Sequence, residues 1–320
     1  MKTPTNELKH NFKMTKRCIE ATIVADSINS RGCRITTFTV VFPRFILAEF
    51  NTHRAFSRNS ASSRARPFQV MLKEVCDDPF IPIRWMSTHK GMQGTDYLDE
   101  AESKAAVVEW LKARDLAVEQ AIKLDQLKVT KQLVNRLLEP YMWHEVIVTA
   151  TNFENFFALR AHADAEIHIA ALAEAMLKAY NLSTPVPLQS GEWHIPFADH
   201  MNQMKLAFLV DEKSSFSTAE QVEVLKRSIA CARCARISYR PFGSEDCYDY
   251  AADLKLFNQL LNGGHMSPLE HCARAMTNDE WHASPNNSCG NFRGFIQYRK
   301  QFANECRIDH RVEKKKVLLK

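Results

Sequence analysis

The sequence predicts an α+β fold in which a small, mainly antiparallel sheet packs against long helices. Residues 21–25 and 35–42 are rich in β-branched and aromatic side chains, which indicates two strands. Residues 101–126 place apolar side chains at three- and four-residue spacing, which predicts a long amphipathic helix. Neither G-x-G-x-x-G nor a P-loop occurs, so a dinucleotide-binding Rossmann domain is not expected. We expect the sheet to come from residues 21–50 and from the C-terminal part of the chain.

Four further helices follow from the same periodicity, at residues 129–138, 165–180, 218–237 and 253–261. Ser217 or Thr218 is a suitable N-cap for the third of them, and Gly263-Gly264 a suitable C-cap for the last. Residues 45–50, after Pro43, fit either a helix or a short return strand. The stretches 181–202 and 240–250 have the composition of linkers.

Composition limits the class of protein without identifying it. The 320 residues carry a net charge of +5, a mild basic excess compatible with anionic nucleotides but far from that of a nucleic-acid-binding tail. The basic run at residues 313–316 is expected to be a solvated terminus. Residues 1–17 are polar and no apolar stretch reaches the length of a membrane span, so we expect neither a signal peptide nor membrane insertion. Nine cysteines, an odd number, indicate reduced thiols and a cytoplasmic location. Cys231 and Cys234 form a C-x-x-C without a second pair, and no metal site is expected.

The most informative stretch is the loop at residues 51–67, directly after the strand-like run. It contains Thr52-His53-Arg54, then seven residues and Ser62, with four arginines and several hydroxyl side chains in total. Arginine forks bind phosphate bidentately, hydroxyls fill the remaining oxygens, and a histidine can orient or carry a proton. On composition alone, a basic surface loop fits equally well. A nucleic-acid-binding module is a third interpretation, although only Phe56 and Phe68 could supply the stacking that such modules use.

This loop resembles the R-H-R-x7-S signature of flavin-dependent thymidylate synthases and departs from it only at Thr52, which replaces the first Arg. Three further segments are similar to motifs of that family. They are residues 131–140, with Arg136 four residues before Pro140; residues 149–160, similar to N-F-L-x-L-R; and Gly264-His265-Met266-Ser267-Pro268-Leu269-Glu270-His271, similar to G-H-x-[ST]-P-x-E-H.

The resemblance implies a role for each matching residue. Arg160 is the expected catalytic residue, since a guanidinium near a pyrimidine's O2 and N3 stabilises negative charge developing on the ring. The residues expected to bind the substrate nucleotide are Glu49, Ser62, Arg64 and Arg136. The residues expected to bind flavin are Thr52, His53, Arg54, Ser60, Thr149, Thr151, Asn155, Ser267 and Glu270.

The motifs do not follow the family's usual order. Ordinary members carry the segment that corresponds to residues 264–271, and the similar Ala235-Arg236-Ile237-Ser238-Tyr239, before the R-H-R loop, whereas here both follow it. Residues 290–299 faintly resemble the apolar run that usually leads into the loop. We therefore expect two regions, residues 1–200 and residues 201–320, which are related either by circular permutation or by duplication.

The family's reaction would be the reductive methylation of dUMP to dTMP, with FAD as cofactor, NADPH as reductant and methylenetetrahydrofolate as one-carbon donor. It needs no cysteine nucleophile, and no Pro-Cys-Gln occurs here. The resemblance also implies a homotetramer with shared active sites, so Arg160 of one subunit could complete a site begun by His53, Arg54 and Ser62 of another.

Two departures keep other functions open. Glu49 stands where the common pattern has Gln near the nucleotide, and Ser60 stands where it has Glu. A carboxylate accepts from an exocyclic amine, as in the pairing of Glu or Asp with cytosine, so another pyrimidine nucleotide such as dCMP is an alternative substrate. Glu49 could equally pair with a neighbouring Arg. Asp164 replaces a family Gln, and a degenerate, non-catalytic paralogue remains a further alternative.

Overall fold

The computed structural model describes residues 17–90, 94, 96–210, 217–237, 249–303 and 305. Within them, the largest sheet has five strands in the order β3-β4-β2-β1-β5. The strands are β1 (Glu20–Asn29), β2 (Arg34–Pro43), β3 (Ser57–Ser60), β4 (Trp143–Ala150) and β5 (Val186–Leu188). All neighbours pair antiparallel except β5, which runs parallel to β1 at the edge. The predicted small antiparallel sheet is therefore confirmed.

Helices cover the sheet and the C-terminal part of the chain. In the described residues they are α1 (Leu47–Phe50), α2 (Phe68–Asp77), α3 (Glu100–Gln126), α4 (Lys131–Val134), α5 (Glu154–Arg160), α6 (Ile167–Leu182), α7 (Gln203–Ala207), α8 (Thr218–Arg236), α9 (Tyr250–Asn262) and α10 (Asn278–Ala283). Capping boxes start the two longest, at Asp99 for α3 and at Ser217 for α8. The α+β class and the long helices are confirmed.

Several local predictions differ from the structure. The helix predicted at 129–138 is only α4, followed by a 3-10 helix at Asn135–Tyr141 that contains Pro140, because proline cannot supply the N–H of a continuing α-helix. The ambiguous segment 45–50 is helical, with a 3-10 turn at Arg44–Ile46 before α1. The stretch 181–202 is no mere linker, because it contains β5 and β6 (Trp193–His194). Predictions at residues 1–16, 240–248 and 313–316, and at Ser238 and Tyr239, lie outside the described residues.

The C-terminal strands do not join the five-stranded sheet, contrary to prediction. Instead β7 (Ala273–Ala275) pairs with β6 and with β10 (Phe295–Gln297), while β8 (Ser288–Cys289) and β9 (Phe292–Arg293) form a separate hairpin. Both phenylalanines that begin β9 and β10 are buried in one small apolar cluster with Ile35 of β2. This cluster holds the C-terminal strands beside the larger sheet.

The two faces of the five-stranded sheet differ because strand side chains alternate. One face carries Phe38, Val40 and Phe42, which are buried in one cluster with apolar residues of α5 and α6. On the other face Ile147 packs on Phe197 and on Cys234 of α8. This second face joins the sheet to the C-terminal half of the chain.

The second face also carries a chain of buried polar side chains. Ser27 Oγ lies 2.9 Å from Nδ1 of His194, whose Nε2 lies 2.8 Å from Thr37 Oγ1. Thr37 Oγ1 lies 2.7 Å from Thr149 Oγ1, which lies 2.8 Å from His271 Nδ1. The chain thus connects the sheet to the residue after Glu270. Over the described ranges, no helix is long and apolar enough to cross a membrane.

Candidate active site

The loop that carries Thr52-His53-Arg54 leaves α1 through a tight turn. Thr52 Oγ1 donates to the carbonyl of Glu49 at 2.6 Å, and the Phe56 N–H donates to the carbonyl of His53 at 3.3 Å. The His53 ring is 8% exposed, stacked against Phe56 and edge-on to Phe156. The turn therefore points the histidine inward and leaves Thr52 and Arg54 exposed.

His53 and Arg160, two of the residues singled out by the sequence, are in direct contact within one chain. Arg160 is the last residue of α5, and its Nε donates to His53 Nε2 at 3.1 Å. Burial, with the charges of Arg160 and Arg58, lowers the pKa of His53 to about 4. The ring is therefore neutral at pH 7, with Nε2 as acceptor and the proton on Nδ1, because arginine can only donate. Nη1 and Nη2 of Arg160 have no partner among the described residues.

Positive charge accumulates around this contact. The Arg58 guanidinium donates to the Phe50 carbonyl at 3.1 Å and to the His53 carbonyl at 3.4 Å. Burial and the charge of Arg54 lower the pKa of Arg58, and the carboxylate of Glu270 partly opposes this. Unfavourable contacts between cations are relieved when an anion binds, so the cluster suits a ligand with phosphate oxygens.

The predicted nucleotide-phosphate residues lie on two neighbouring elements. Asn135, the residue before Arg136, donates from Nδ2 to the Ser63 carbonyl at 2.6 Å. This bond holds the loop that carries Ser62 and Arg64 against the 3-10 helix that carries Arg136. Arg64 and Arg136 are exposed, and neither has a hydrogen-bond or ion-pair partner in the described part of the chain. Both are therefore available to an anion.

A second set of contacts, centred on Glu139 of the 3-10 helix, also holds the loop in place. Glu139 accepts from Ser63 Oγ and pairs with Arg44 Nη2 at 3.2 Å. Arg66, by contrast, is fully occupied by a two-pronged ion pair with Glu74. Arg66 therefore serves the loop's structure, whereas Arg64 remains free to bind.

The C-terminal motif lies beside the same loop. Ser267 Oγ donates to Oδ1 of Asn59 in β3 at 2.8 Å, and Ser60 is the next residue of that strand. Glu270 forms an ion pair with Arg299. Ser267 is exposed and Glu270 is half-buried, so both remain open to a ligand on the side of Arg58.

The three residues predicted around the start of α5 differ in accessibility. Asn155 is exposed, and its side chain has no partner among the residues described. Thr151 is half-buried, and its Oγ1 accepts from the Arg293 N–H at 2.9 Å. Thr149 is completely buried between Thr37 and His271, so its hydroxyl has no surface that a cofactor could touch.

Glu49 is exposed on α1. Among the described residues no arginine or lysine pairs with its carboxylate, so the ion pair with a neighbouring Arg that the sequence also allowed is not found there. The carboxylate is therefore available to a ligand.

Several residues of the site were not found from the sequence. Arg58, Asn59 and Arg299 contact the predicted His53, Ser267 and Glu270. Asn291 and Gln297 contact Ala55 and Ser57 of the loop. Only the faint resemblance of residues 290–299 to a family segment pointed to Asn291, Gln297 and Arg299. Among the described residues, no group of three His, Cys, Asp or Glu could hold a metal ion.

Comparison with known proteins gives one family and two similar solved structures. The Thy1 family model, described as thymidylate synthase complementing protein, matches residues 34–186. The chain is similar to the UMP/dUMP methylase PolB from Streptomyces cacaoi bound with 5-Br UMP, at 18% identity and TM-score 0.44 over 52% of this chain and 90% of that one. The same protein bound with 5-Br dUMP gives 16% identity and TM-score 0.42 over 52% and 92%. No curated protein matches the chain.

The family match covers Glu49 to Arg160 and leaves out Ser267 and Glu270. It confirms the resemblance that the loop and the two helical segments indicated. Residues 34–186 thus match the model of the thymidylate synthase complementing protein family.

Proposed function

We propose that the protein is a flavin-dependent thymidylate synthase that methylates C5 of dUMP, with methylenetetrahydrofolate as one-carbon donor and NADPH as reductant. The observation that carries the proposal is the Arg160–His53 contact, which joins two independent family motifs at one point of the matched region. The exposed Arg64 and Arg136 lie in the same matched region and supply the charge that a nucleotide phosphate needs.

FAD would lie across the cation cluster defined by Arg54, Arg58 and Arg160. The site fits such a cofactor because its unbalanced positive charge suits a pyrophosphate. The residues that would hold it are His53, Arg54, Asn155, Ser267 and Glu270, together with Thr52, Ser60 and Thr151. Bound flavin would supply the redox chemistry of the methyl transfer, and the protein supplies binding, orientation and charge stabilisation.

The nucleotide would be held at both ends. Ser62, Arg64 and Arg136 bind its phosphate and sugar, while the free Nη atoms of Arg160 face the base. Negative charge that develops on the ring is stabilised by this fixed guanidinium. His53 contributes by accepting from Nε, which holds the guanidinium plane in one orientation.

A second substrate is favoured by one observation. Because the Glu49 carboxylate is exposed and unpaired in the described residues, it can accept a hydrogen bond from a 4-amino group. C5 modification of dCMP or a similar nucleotide is therefore the alternative function. In either case we propose a cytoplasmic homotetramer that acts on small nucleotides and not on nucleic acid.

FAD binding tests the proposal. Purified protein should be yellow or become so with FAD, and saturating FAD should raise its melting temperature, because a ligand of the native state stabilises it. Arg54→Ala should weaken FAD binding, while Lys178→Ala, which removes an exposed charge on α6, should not. A colourless protein without an FAD-dependent thermal shift would contradict the proposal.

A further inference from the structure

The C-terminal hairpin β8–β9 and strand β10 lie on the end of the loop that carries His53 and Arg54. Asn291, at the tip of the hairpin, donates from Nδ2 to the Ala55 carbonyl at 2.9 Å, across 236 positions of sequence. Ala55 directly follows Arg54, so this bond is made at the centre of the candidate site by a segment outside the family match.

The Asn291 side chain is itself held by two neighbours. Gln297 donates from Nε2 to Asn291 Oδ1 at 2.7 Å and to Ser57 Oγ at 3.1 Å, and Ser57 Oγ lies 3.2 Å from Asn291 Oδ1. Gln297 is 2% exposed, so its bond to Ser57 is shielded from water, whereas Asn291 and Ala55 lie at the surface. The backbone also passes close: a Cβ on Gly290, whose φ is +64°, would lie 2.5 Å from Gln297 Oε1. Only glycine fits that position without displacing Gln297.

The part of the loop at residues 51–57 is thus held at both of its ends, by different partners. Arg58 binds the carbonyls of Phe50 and His53 at its start. At its end, Asn291 binds Ala55 and the Gln297–Asn291 pair binds Ser57. The side chain of His53 lies between these contacts, and its orientation decides whether Nε2 can accept the hydrogen bond from Arg160 Nε.

We propose that Asn291 is a positioning residue of the candidate active site: by holding the Ala55 carbonyl, it fixes the turn in which His53 accepts the hydrogen bond of Arg160. The part of this inference that concerns ligand affinity rests on the proposed function, whereas the part that concerns the histidine does not. The residue acts through the loop and need not touch either ligand.

Asn291→Ala in the full-length protein tests the inference, with Asn29→Ala as a matched control. Asn29 also donates from Nδ2 to a carbonyl of the C-terminal segment, that of Gly294 at 3.0 Å, but from the end of β1. Both variants lose one carboxamide and a bond from its Nδ2 to a carbonyl on the other side of this contact; Asn291→Ala also loses the bond from Ser57. Only Asn291→Ala should release the His53 turn.

The readout is the tautomer of His53, measured from the nitrogen-15 chemical shifts of the two imidazole nitrogens at pH 7.5. The His53 signals are identified by their loss in His53→Asn. The wild type should show the Nδ1–H form, because Arg160 donates to Nε2. In Asn291→Ala the population of this form should fall to roughly half or less, since the ring is free to exchange partners. Asn29→Ala should keep the wild-type tautomer.

Ser57→Ala gives a second test should Asn291→Ala not fold, because it removes the hydroxyl that binds both Gln297 and Asn291 to the loop and should shift the tautomer in the same direction. In Asn291→Ala and in Ser57→Ala the Kd for FAD should rise about tenfold, which is the loss of affinity that one hydrogen bond in the site can cause. An unchanged tautomer, or an equal change in Asn29→Ala, overturns the inference. Absence of FAD binding in the wild type would instead overturn the proposed function, and the tautomer measurement would still decide the role of Asn291.

Discussion

Thr149→Val separates a structural role for this threonine from the cofactor contact that the family resemblance implies. The hydroxyl of Thr149 is completely buried and joins Thr37 Oγ1 at 2.7 Å to His271 Nδ1 at 2.8 Å. Valine has nearly the same shape but cannot form either bond. Thr37 would keep its contact with His194, whereas His271 would lose its bond at Nδ1.

The size of the expected loss in stability follows from the hydrogen bonds that the His271 ring would retain. Its ring is fully buried, and Nε2 has no hydrogen-bond partner among the described residues. Loss of Nδ1's partner would leave the whole imidazole unsatisfied, and a buried unsatisfied group costs about 1–3 kcal/mol. We expect the free energy of unfolding to fall by about 2 kcal/mol, which lowers the urea midpoint by roughly 0.5 M.

Urea unfolding and FAD titration of Thr149→Val should be compared with the same measurements on Thr39→Val. Thr39 lies on the neighbouring β2, is half-buried, and its hydroxyl has no partner among the described residues, so its change should stay within about 0.5 kcal/mol. FAD affinity should be unchanged in both. A Thr149→Val protein that keeps its stability and loses FAD affinity would contradict the structural role of Thr149 and support the cofactor contact.

Three further predictions concern the nucleotide and the pH. Arg64→Ala should raise the nucleotide Kd about ten- to a hundredfold, since one charge-assisted contact is worth about 1.5–3 kcal/mol, whereas Lys178→Ala should leave the Kd unchanged in the same calorimetric titration. Glu49→Gln should shift the preference in kcat/KM from dCMP towards dUMP if this carboxylate reads an amino group; an equal loss with both substrates would assign it to structure. Burial lowers the pKa of His144, His194 and His271 to about 3. These histidines stay neutral in the folded protein, whereas in the unfolded chain they take up protons below about pH 6.5. The folded protein therefore loses stability as the pH falls below that value. At pH 5 each should have cost about 2 kcal/mol, together a large part of the usual 5–15 kcal/mol, so an equal melting temperature at pH 7 and pH 5 would contradict this.

The fold was predictable wherever a strand or helix shows its periodicity. Strands β1 and β2 and the long helix α3 were found from β-branched residues and from three- and four-residue spacing. Strand β4 was missed although it contains Val146, Ile147 and Val148, because a strand buried on both faces lacks the alternation of polar side chains. It also directly follows a 3-10 helix, in the region where a longer α-helix was predicted.

The site was predictable only as a set of residues and not as an arrangement. His53, Arg64, Arg136 and Arg160 came from the resemblance, but nothing in their spacing indicated that Arg160 donates to His53 in the same chain. The bond from Asn291 to Ala55 spans 236 positions, and such a contact is fixed by tertiary packing and not by a local pattern. Local patterns likewise could not show that Thr149 is closed off from ligands, since that depends on the C-terminal half.

Tritium release from C5-labelled nucleotide is a direct assay of the proposed methylation, because methylation at C5 must displace that hydrogen. Purified protein supplied with FAD, NADPH and methylenetetrahydrofolate should release tritium from labelled dUMP, and release should be lost without FAD. Arg160→Ala should lower the turnover number more than the affinity, because its charge acts when the ring becomes anionic. Release from dCMP alone would move the function to the alternative substrate, and release from neither nucleotide under these conditions would contradict the proposed function.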